Sequence, residues 1–180
     1  VDFDDKLVNG HWAMSPEYET VNGISAARFE KGNYIVFPHR AEFSPNDEIT
    51  LSMWVNLTKP GSMPVLLCSG AWEWDGYYVQ AVHGRFRFYL HGAGYVDGGE
   101  AVPGKWHHIA CVWDGAELFI YQNGREAAKR RVAEFEAAQR ADLQPDTVRV
   151  QLWSDKNNDG VLQLTLNIKE AAKPRKIEIK

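Results

Sequence analysis

Residues 107–122 read HHIACVWDGAELFIYQ, two stretches of alternating apolar and polar residues joined by Asp114-Gly115. Alternation with a period of two indicates strands, and an Asp-Gly pair between such runs favours a β-hairpin. Adjacent strand residues point to opposite faces, so His107 and His108 are not expected to bind one metal ion together. We expect His108 to be a hydrogen-bonded structural residue. The face predicted to line a core carries Ile109, Cys111, Trp113, Leu118 and Ile120.

Similar patterns continue on both sides of this hairpin. ITLSMWVNL (Ile49–Leu57) alternates throughout, and YYVQAV and RFRFYLH flank His83-Gly84, a plausible two-residue hairpin loop. TVRVQLW and VLQLTLNI alternate near the C-terminal end. Regularly spaced strands with Gly-containing turns predict an all-β sandwich or barrel. One stretch differs, because Ala, Glu and Arg at helical spacing predict a short surface helix near residues 128–140, with a brief strand after Asn123-Gly124.

Composition restricts the class of protein. With 180 residues, the chain is expected to form a single domain over residues 1–180. The net charge of −4 argues against a nucleic-acid partner, and the sequence contains no apolar run long enough for membrane insertion. The chain has seven Trp, seven Tyr and eight Phe, and seven tryptophans are more than we expect a core of this size to need, so some should serve a ligand.

The two cysteines leave the redox compartment open. Cys68 and Cys111 have no metal-cluster spacing, and they could either pair across a sandwich or remain small buried apolar residues. We expect both to be free and buried.

Three stretches of this sequence resemble one family. AARFEKGNYIVFP (26–38), SPNDEITLSMWVNL (44–57) and GKWHHIACVWDGAELFIYQNG (104–124) are similar, in this order and spacing, to the laminin-G-like, concanavalin A-like lectin/glucanase superfamily. The resemblance implies an antiparallel jelly-roll β-sandwich of extracellular or periplasmic, secreted location. It also implies a sugar-binding module that is part of a larger multidomain protein. Glu30 stands where the family often has an Asp linked to structural calcium, which weakens the expectation of a metal at that position.

The hairpin around His83-Gly84 provides the main candidate for a ligand site. If the loop has two residues, parity directs Phe86 and Phe88 to the core and a mixed polar and aromatic set outward. Aromatic faces can stack on a sugar ring, and two arginines could bind an acidic polysaccharide. The alternative is an ordinary solvated sheet face. The predicted glycan-binding set is Tyr78, Gln80, Arg85, Arg87, Tyr89 and His91.

Two neighbouring loops add to this candidate site. SGAWEWDG contributes Trp72, Trp74 and Asp75, and two tryptophans so close together in a Gly-flanked loop are difficult to bury together. They form either a stacking platform or an anchor that covers the sandwich edge. HGAGYVDGGE contributes Tyr95, with Asp97, in a Gly-rich loop that could approach a ligand closely.

Catalysis is possible in two forms, and we lean against both. Glu73 and Asp75 begin a laminarinase-like acidic strand, but its third carboxylate is missing. Gln80, Arg87, Tyr89 and His91 are similar in kind to the groups of jelly-roll polysaccharide lyases. A non-catalytic lectin-like module is therefore the main hypothesis. The alternatives are a lyase or glycoside hydrolase and an extracellular protein–protein or adhesion module.

Calcium is the one metal that the sequence suggests. In SDKNNDG, Asp155, Asn157 and Asp159 occupy the first, third and fifth positions of a calcium loop, but Leu166 replaces the glutamate of the twelfth. A plain turn between two strands is the favoured alternative, and these three residues are a weak candidate for a calcium site.

Overall fold

The structure, a computed structural model, describes residues 11–14, 17–29, 34–38, 43, 47–58, 63–70, 76–132, 147–153 and 160–165. Strands make up most of these residues. In chain order they are β1 (His11–Met14), β2 (Glu17–Val21), β3 (Ile24–Phe29), β4 (Tyr34–Pro38), β5 (Ile49–Leu57), β6 (Val65–Ser69), β7 (Tyr77–Val82), β8 (Arg85–Leu90), β9 (Gly94–Gly98), β10 (Trp106–Trp113), β11 (Glu117–Gln122), β12 (Arg125–Arg131), β13 (Thr147–Trp153) and β14 (Gly160–Thr165).

These strands form two antiparallel sheets of seven strands each. The first sheet has the order β1-β4-β13-β6-β7-β8-β9, and the second has the order β12-β11-β10-β5-β14-β3-β2. Late strands are inserted between early ones, since β13 lies between β4 and β6 and β14 lies between β5 and β3. This is the jelly-roll β-sandwich that the resemblance implies, and the predicted fold class is confirmed.

The core lies between the two sheets and is formed largely by alternate residues of their strands. In β5, the side chains of Leu51, Met53 and Val55 are fully buried, whereas Trp54 between them is exposed. Phe86 and Phe88 of β8 enter the same core from the opposite sheet. The predicted inward set of the 107–122 hairpin is confirmed in full, because Ile109, Cys111, Trp113, Leu118 and Ile120 are all buried.

The tight turns follow from residues that tolerate a positive φ angle. His83 and Gly84 have φ values of 49° and 77°, and Asn123 and Gly124 have values of 52° and 78°. Positive φ at both central residues is typical of the two-residue type I′ turn, whose twist matches that of the two strands of a β-hairpin. The loop at His83-Gly84 therefore has the predicted length, and this length determines which side chains of β7 and β8 face each other.

Two local predictions are wrong. Residues 128–131 belong to β12 instead of a helix, because the Asn123-Gly124 turn returns the chain to pair with β11, where Ala128 opposes Ile120. The rest of the predicted helix, residues 133–140, lies outside the described residues. The Gly-rich stretch around Tyr95 is not a loop, since Gly94–Gly98 forms β9 and pairs with β8.

The edges of the two sheets meet where β9 and β12 approach each other. A Cβ atom on Gly98 would lie only 2.5 Å from the Cβ of Ala128, so glycine is needed at this contact. Arg130 donates a hydrogen bond of 2.9 Å from Nη1 to the carbonyl oxygen of Tyr95. Residues of the second sheet thus hold the backbone of β9 in place.

Cys68 and Cys111 are free and buried, as expected. Burial raises the pKa of the Cys111 thiol far above its ordinary value. In the described part of the chain, no helix is long and apolar enough to cross a membrane.

Candidate functional site

The strand register that defines the candidate site is confirmed by the structure. Across β7 and β8, Val82 pairs with Arg85, Gln80 with Arg87, and Tyr78 with Tyr89. On the next strand, β9, Tyr95 opposes Tyr89 and Asp97 opposes Arg87. The face of the sheet that points away from the core therefore carries two cross-strand rows. They are an aromatic row, Tyr95–Tyr89–Tyr78, and a polar row, Asp97–Arg87–Gln80.

Only part of this face is accessible. Tyr78 and Gln80 are each 4% exposed, so the expectation that they face solvent is wrong, and all of β7 is buried on both faces. Alternation along one strand determines the face of a side chain but not what lies over that face. Arg85 is exposed and Tyr89 is half-buried, while His91 lies in the turn directly after β8 instead of within the strand.

We call the accessible part the β8–β9 surface, formed by Arg85, Arg87, Tyr89, Tyr95 and Asp97. At its centre, Arg87 donates from Nε to Asp97 Oδ1 at 2.6 Å and from Nη2 to Asp97 Oδ2 at 2.7 Å. Such bidentate pairs fix both groups in one plane. The side chains of Arg87 and Asp97 are 18% and 31% exposed, so the pair is partly screened by solvent.

This ion pair changes the electrostatic character of the surface. Hydrogen bonding to Asp97 raises the pKa of Arg87 above its ordinary value, so the guanidinium is always charged, but its charge is balanced by the carboxylate. Two N–H groups on Nη1 and one on Nη2 are not used in this pair. The surface can therefore donate hydrogen bonds from Arg87 and accept them at Asp97 with little net charge between the two groups.

Aromatic rings complete the surface. The guanidinium carbon of Arg87 lies 3.9 Å from the ring centroid of Tyr95, which is a cation–π contact. Tyr95 remains 46% exposed, one of the most exposed large hydrophobic side chains among the described residues. Tyr89 contacts Tyr78, with ring centroids 5.7 Å apart and a tilt of 54°. An exposed ring thus lies beside fixed polar groups, and this arrangement can contact an apolar face of a sugar ring as well as its hydroxyls.

Asp97 is the residue whose role the sequence analysis missed. The sequence predicts a Gly-rich loop for Tyr95 and Asp97, because glycines lower the strand propensity of such a segment. The spacing of Tyr95 and Asp97 by two residues was the available signal, because in a strand both would point to one face.

Several predicted site residues cannot be placed. Trp72, Trp74 and Asp75 lie outside the described residues, as do Glu73 and the weak calcium candidates Asp155, Asn157 and Asp159. Among the residues that are described, no group of three or more His, Cys, Asp or Glu side chains could hold a metal ion. Calcium binding therefore remains a prediction.

Comparison with known families gives a match over most of the chain. The model of the Concanavalin A-like lectin/glucanases superfamily, of the laminin-G type, matches residues 29–164. No match was found among curated protein sequences.

Solved structures with the same fold include binding domains of botulinum neurotoxins. The binding domain of neurotoxin DC, in complex with rat synaptotagmin II, is 12% identical with a TM-score of 0.63, and the match covers 88% of this chain and 43% of that one. A second structure is of neurotoxin type C, whose cell entry is described as dependent on interaction with two ganglioside molecules. It is 12% identical with a TM-score of 0.63, and the match covers 87% of this chain and 42% of that one. The receptor binding domain of a C/D mosaic serotype has 11% identity, a TM-score of 0.65 and coverages of 91% and 44%. The chain thus spans less than half the length of these domains.

Proposed function

Because this chain belongs to the Concanavalin A-like lectin/glucanases superfamily, we propose that it is a non-catalytic carbohydrate-binding module with its ligand on the β8–β9 surface. The observation that carries the proposal is the pairing of the exposed Tyr95 ring with the fixed Arg87–Asp97 ion pair. An aromatic ring can cover the apolar face of a sugar, while the charged pair donates and accepts hydrogen bonds. The botulinum domains of the same fold include one described with gangliosides, which agrees with a glycan ligand.

The ion pair also bears on which polysaccharide is bound. Two arginines suggested an acidic chain, but Asp97 already balances the charge of Arg87. Binding a uronate or sulfate at Arg87 would place that anion beside the carboxylate of Asp97, and like charges at such a distance repel. We therefore favour an uncharged polysaccharide at this surface, with Arg85 as the exposed cation that an acidic chain would have to use.

The same pair supports a binding role over a lyase. A lyase needs a cation that neutralises the substrate carboxylate, and Arg87, the candidate for that role, is held by Asp97. Gln80, a second candidate, is buried. We propose secretion and membership of a larger multidomain protein along with this role, as is common for modules of this superfamily.

A polysaccharide panel tests this function directly. Calorimetry with neutral chains (β-glucan, xylan, mannan) and acidic chains (alginate, pectin, heparan sulfate) should show binding without new reducing ends or unsaturated products. Tyr95→Ala and Arg87→Ala should each weaken binding about ten-fold or more, as expected for residues at the centre of a binding site. Tyr18→Ala serves as the control, since Tyr18 is equally exposed, at 46%, but lies on β2 of the other sheet.

Each result has a distinct meaning. Unchanged affinity in both site variants would remove the β8–β9 surface from consideration, and product formation would identify an enzyme. Affinity that falls steeply with added salt, and only for acidic chains, would favour the acidic ligand over the neutral one. A protein ligand is the second candidate, because one neurotoxin domain of this fold is seen in complex with synaptotagmin II. Lack of binding across the whole panel would favour it.

A further inference from the structure

The outward face of the second sheet carries an exposed tryptophan at the middle of its longest strand. Trp54 lies in β5 with apolar core residues on either side of it in sequence, and it is 44% exposed. Across the strand pair it opposes His108 of β10, and the two rings are 5.2 Å apart with a tilt of 55°. A single exposed aromatic residue is ordinary on a protein surface. The neighbours of Trp54 make this position different.

A hydrogen-bonded pair lies directly beside this tryptophan. The hydroxyl oxygen of Ser52 is 2.9 Å from Nε2 of His108, which confirms that His108 is hydrogen-bonded as expected. The backbone N–H of His108 donates to Oδ1 of Asn123 at 2.9 Å, so the strand is also fixed at this residue. The imidazole is thus held both by its ring contact with Trp54 and by Ser52.

The strand register places short side chains between this pair and two further rings. Ala110 opposes Ser52 on one side and Tyr121 on the other, and Val112 lies between Thr50 and Phe119 in the same way. The rings of Phe119 and Tyr121 are stacked at 6.0 Å with an angle of 18°. Ala110 and Val112 are thus flanked by Thr50 and Ser52 on one side and by two aromatic rings on the other. Trp54 and His108 form the next outward pair along β5 and β10.

We call this set the β5–β10–β11 surface, formed by Thr50, Ser52, Trp54, His108, Ala110, Val112, Phe119 and Tyr121. None of these side chains carries a permanent charge. Charged residues begin at the next strand, where Glu126 opposes Tyr121 and Lys129 opposes Phe119. A ligand that carries a charge would gain no permanently charged partner within this set of side chains, whereas an uncharged ligand with apolar faces and hydroxyls would match it.

The size of the β5–β10–β11 surface also bears on its occupant. Two strand spacings and four residues along a strand give a footprint of about 10 Å by about 14 Å. A stable protein–protein interface needs about 800 Å² from each partner, several times this area. These eight side chains therefore offer too little area to form a protein interface by themselves, and their extent suits a few units of a flexible polymer.

We propose that the β5–β10–β11 surface is a second binding site, on the opposite side of the sandwich from the β8–β9 surface, for an uncharged carbohydrate chain. Trp54 provides the stacking face, and the Ser52–His108 pair exchanges hydrogen bonds with hydroxyls. Because its residues all belong to the second sheet, this site stands independently of the β8–β9 surface.

The experiment uses neutral hexasaccharides of glucose, xylose and mannose as probes, in an Arg87→Ala background in which the first surface is expected to bind about ten-fold more weakly. Calorimetry should show residual binding, and binding should alter tryptophan fluorescence. Adding Trp54→Ala should weaken this binding about ten-fold or more. Trp54→Phe should retain part of it, because a ring remains. Tyr18→Ala is the matched control and should leave it unchanged.

Unchanged affinity after Trp54→Ala, or no residual binding of any probe in the Arg87→Ala background, would overturn the second site. A sedimentation shift from dimer to monomer on Trp54→Ala, with glycan affinity unaffected, would also overturn it by identifying a self-association surface. Failure of the proposed function gives a different result, since Arg87→Ala and Tyr95→Ala would then have no effect in the chain with Trp54 intact.

Discussion

The side-chain amide of Gln122 lies 2.8 Å from Nδ1 of the buried His107, which joins the end of β11 to β10 from the side of the core. The same amide exchanges two hydrogen bonds with the backbone of Glu100, at 2.8 and 3.0 Å. The amide N–H of Gln122 donates to Nδ1, and Nε2 lies 3.2 Å from the backbone nitrogen and 3.3 Å from the carbonyl oxygen of Val102. This network anchors the chain that follows β9 to the second sheet.

Gln122→Leu should therefore lower the free energy of unfolding by about 1–3 kcal/mol, because polar groups of Glu100 and His107 would lose their partner. Urea unfolding measures the loss. Glu126→Ala, on the exposed neighbouring strand, is the control and should change stability by less than about 0.5 kcal/mol. Equal effects of the two substitutions would contradict the structural role of the network.

The Arg87–Asp97 pair should show measurable coupling in a double-mutant cycle. With two short bonds and partial burial, we expect a coupling free energy of about 1 kcal/mol or more. Arg28 and Glu19 form the comparison pair, since their atoms are 4.0 Å apart and their side chains are 43% and 39% exposed. That pair should couple by less than about 0.5 kcal/mol. A larger coupling free energy for Arg28–Glu19 than for Arg87–Asp97 would contradict the prediction that bond geometry and burial determine the strength of these ion pairs.

The assignment of faces can be tested with two phenylalanines. Phe88→Ala removes a fully buried ring between the sheets and should cost about 3–5 kcal/mol of stability. Phe119→Ala removes a half-buried ring on the outward face, and its cost should be about 1 kcal/mol. Chemical unfolding of both variants measures the difference. Similar losses of stability would contradict the assignment of Phe88 to the inner face of the first sheet and of Phe119 to the outer face of the second.

Alkaline pH should destabilise the protein through Cys111. The unfolded thiol ionises with a pKa of about 8.5, whereas burial raises the pKa of the folded Cys111 thiol well above that. Below about pH 8.5 both states hold the proton; above it only the folded state does, so the free energy of unfolding falls as pH rises. Between pH 7.5 and 9.5 this group alone should remove about 1.4 kcal/mol.

Urea unfolding at these two pH values measures that loss, and Cys111→Ala should be less sensitive to pH by the same amount. An identical pH dependence of the two proteins would mean that the thiol ionises as readily in the folded state as in the unfolded one.

The sequence predicted the core better than the surface, for a physical reason. Which way Phe86 and Phe88 point depends on strand alternation and one turn length, both of which are local properties of the chain. The burial of Tyr78 and Gln80 depends on what lies over β7, and nothing within β7 encodes that. The partner of Arg87 was missed for a similar reason, because only the pairing of β8 with β9 brings Asp97 opposite it.

The error at β12 shows a second kind of limit. Ala127, Ala128 and their charged neighbours have good helix propensity, yet the turn at Asn123-Gly124 directs the chain back along β11. Pairing along a whole strand outweighs preferences of a few tenths of a kcal/mol per residue. Ala128 also packs against the core, where a small side chain is required beside Gly98.

The contact between β9 and β12 has a consequence for any shortened version of the chain. A chain from which β12 is deleted, with β13 and β14 kept, would retain every side chain of the β8–β9 surface. It would nevertheless lose Arg130, whose guanidinium holds the carbonyl of Tyr95, and Ala128, which packs on Gly98. The backbone of Tyr95 would then lose its contact with the second sheet, so the geometry of the β8–β9 surface depends on residues more than thirty positions further along the sequence.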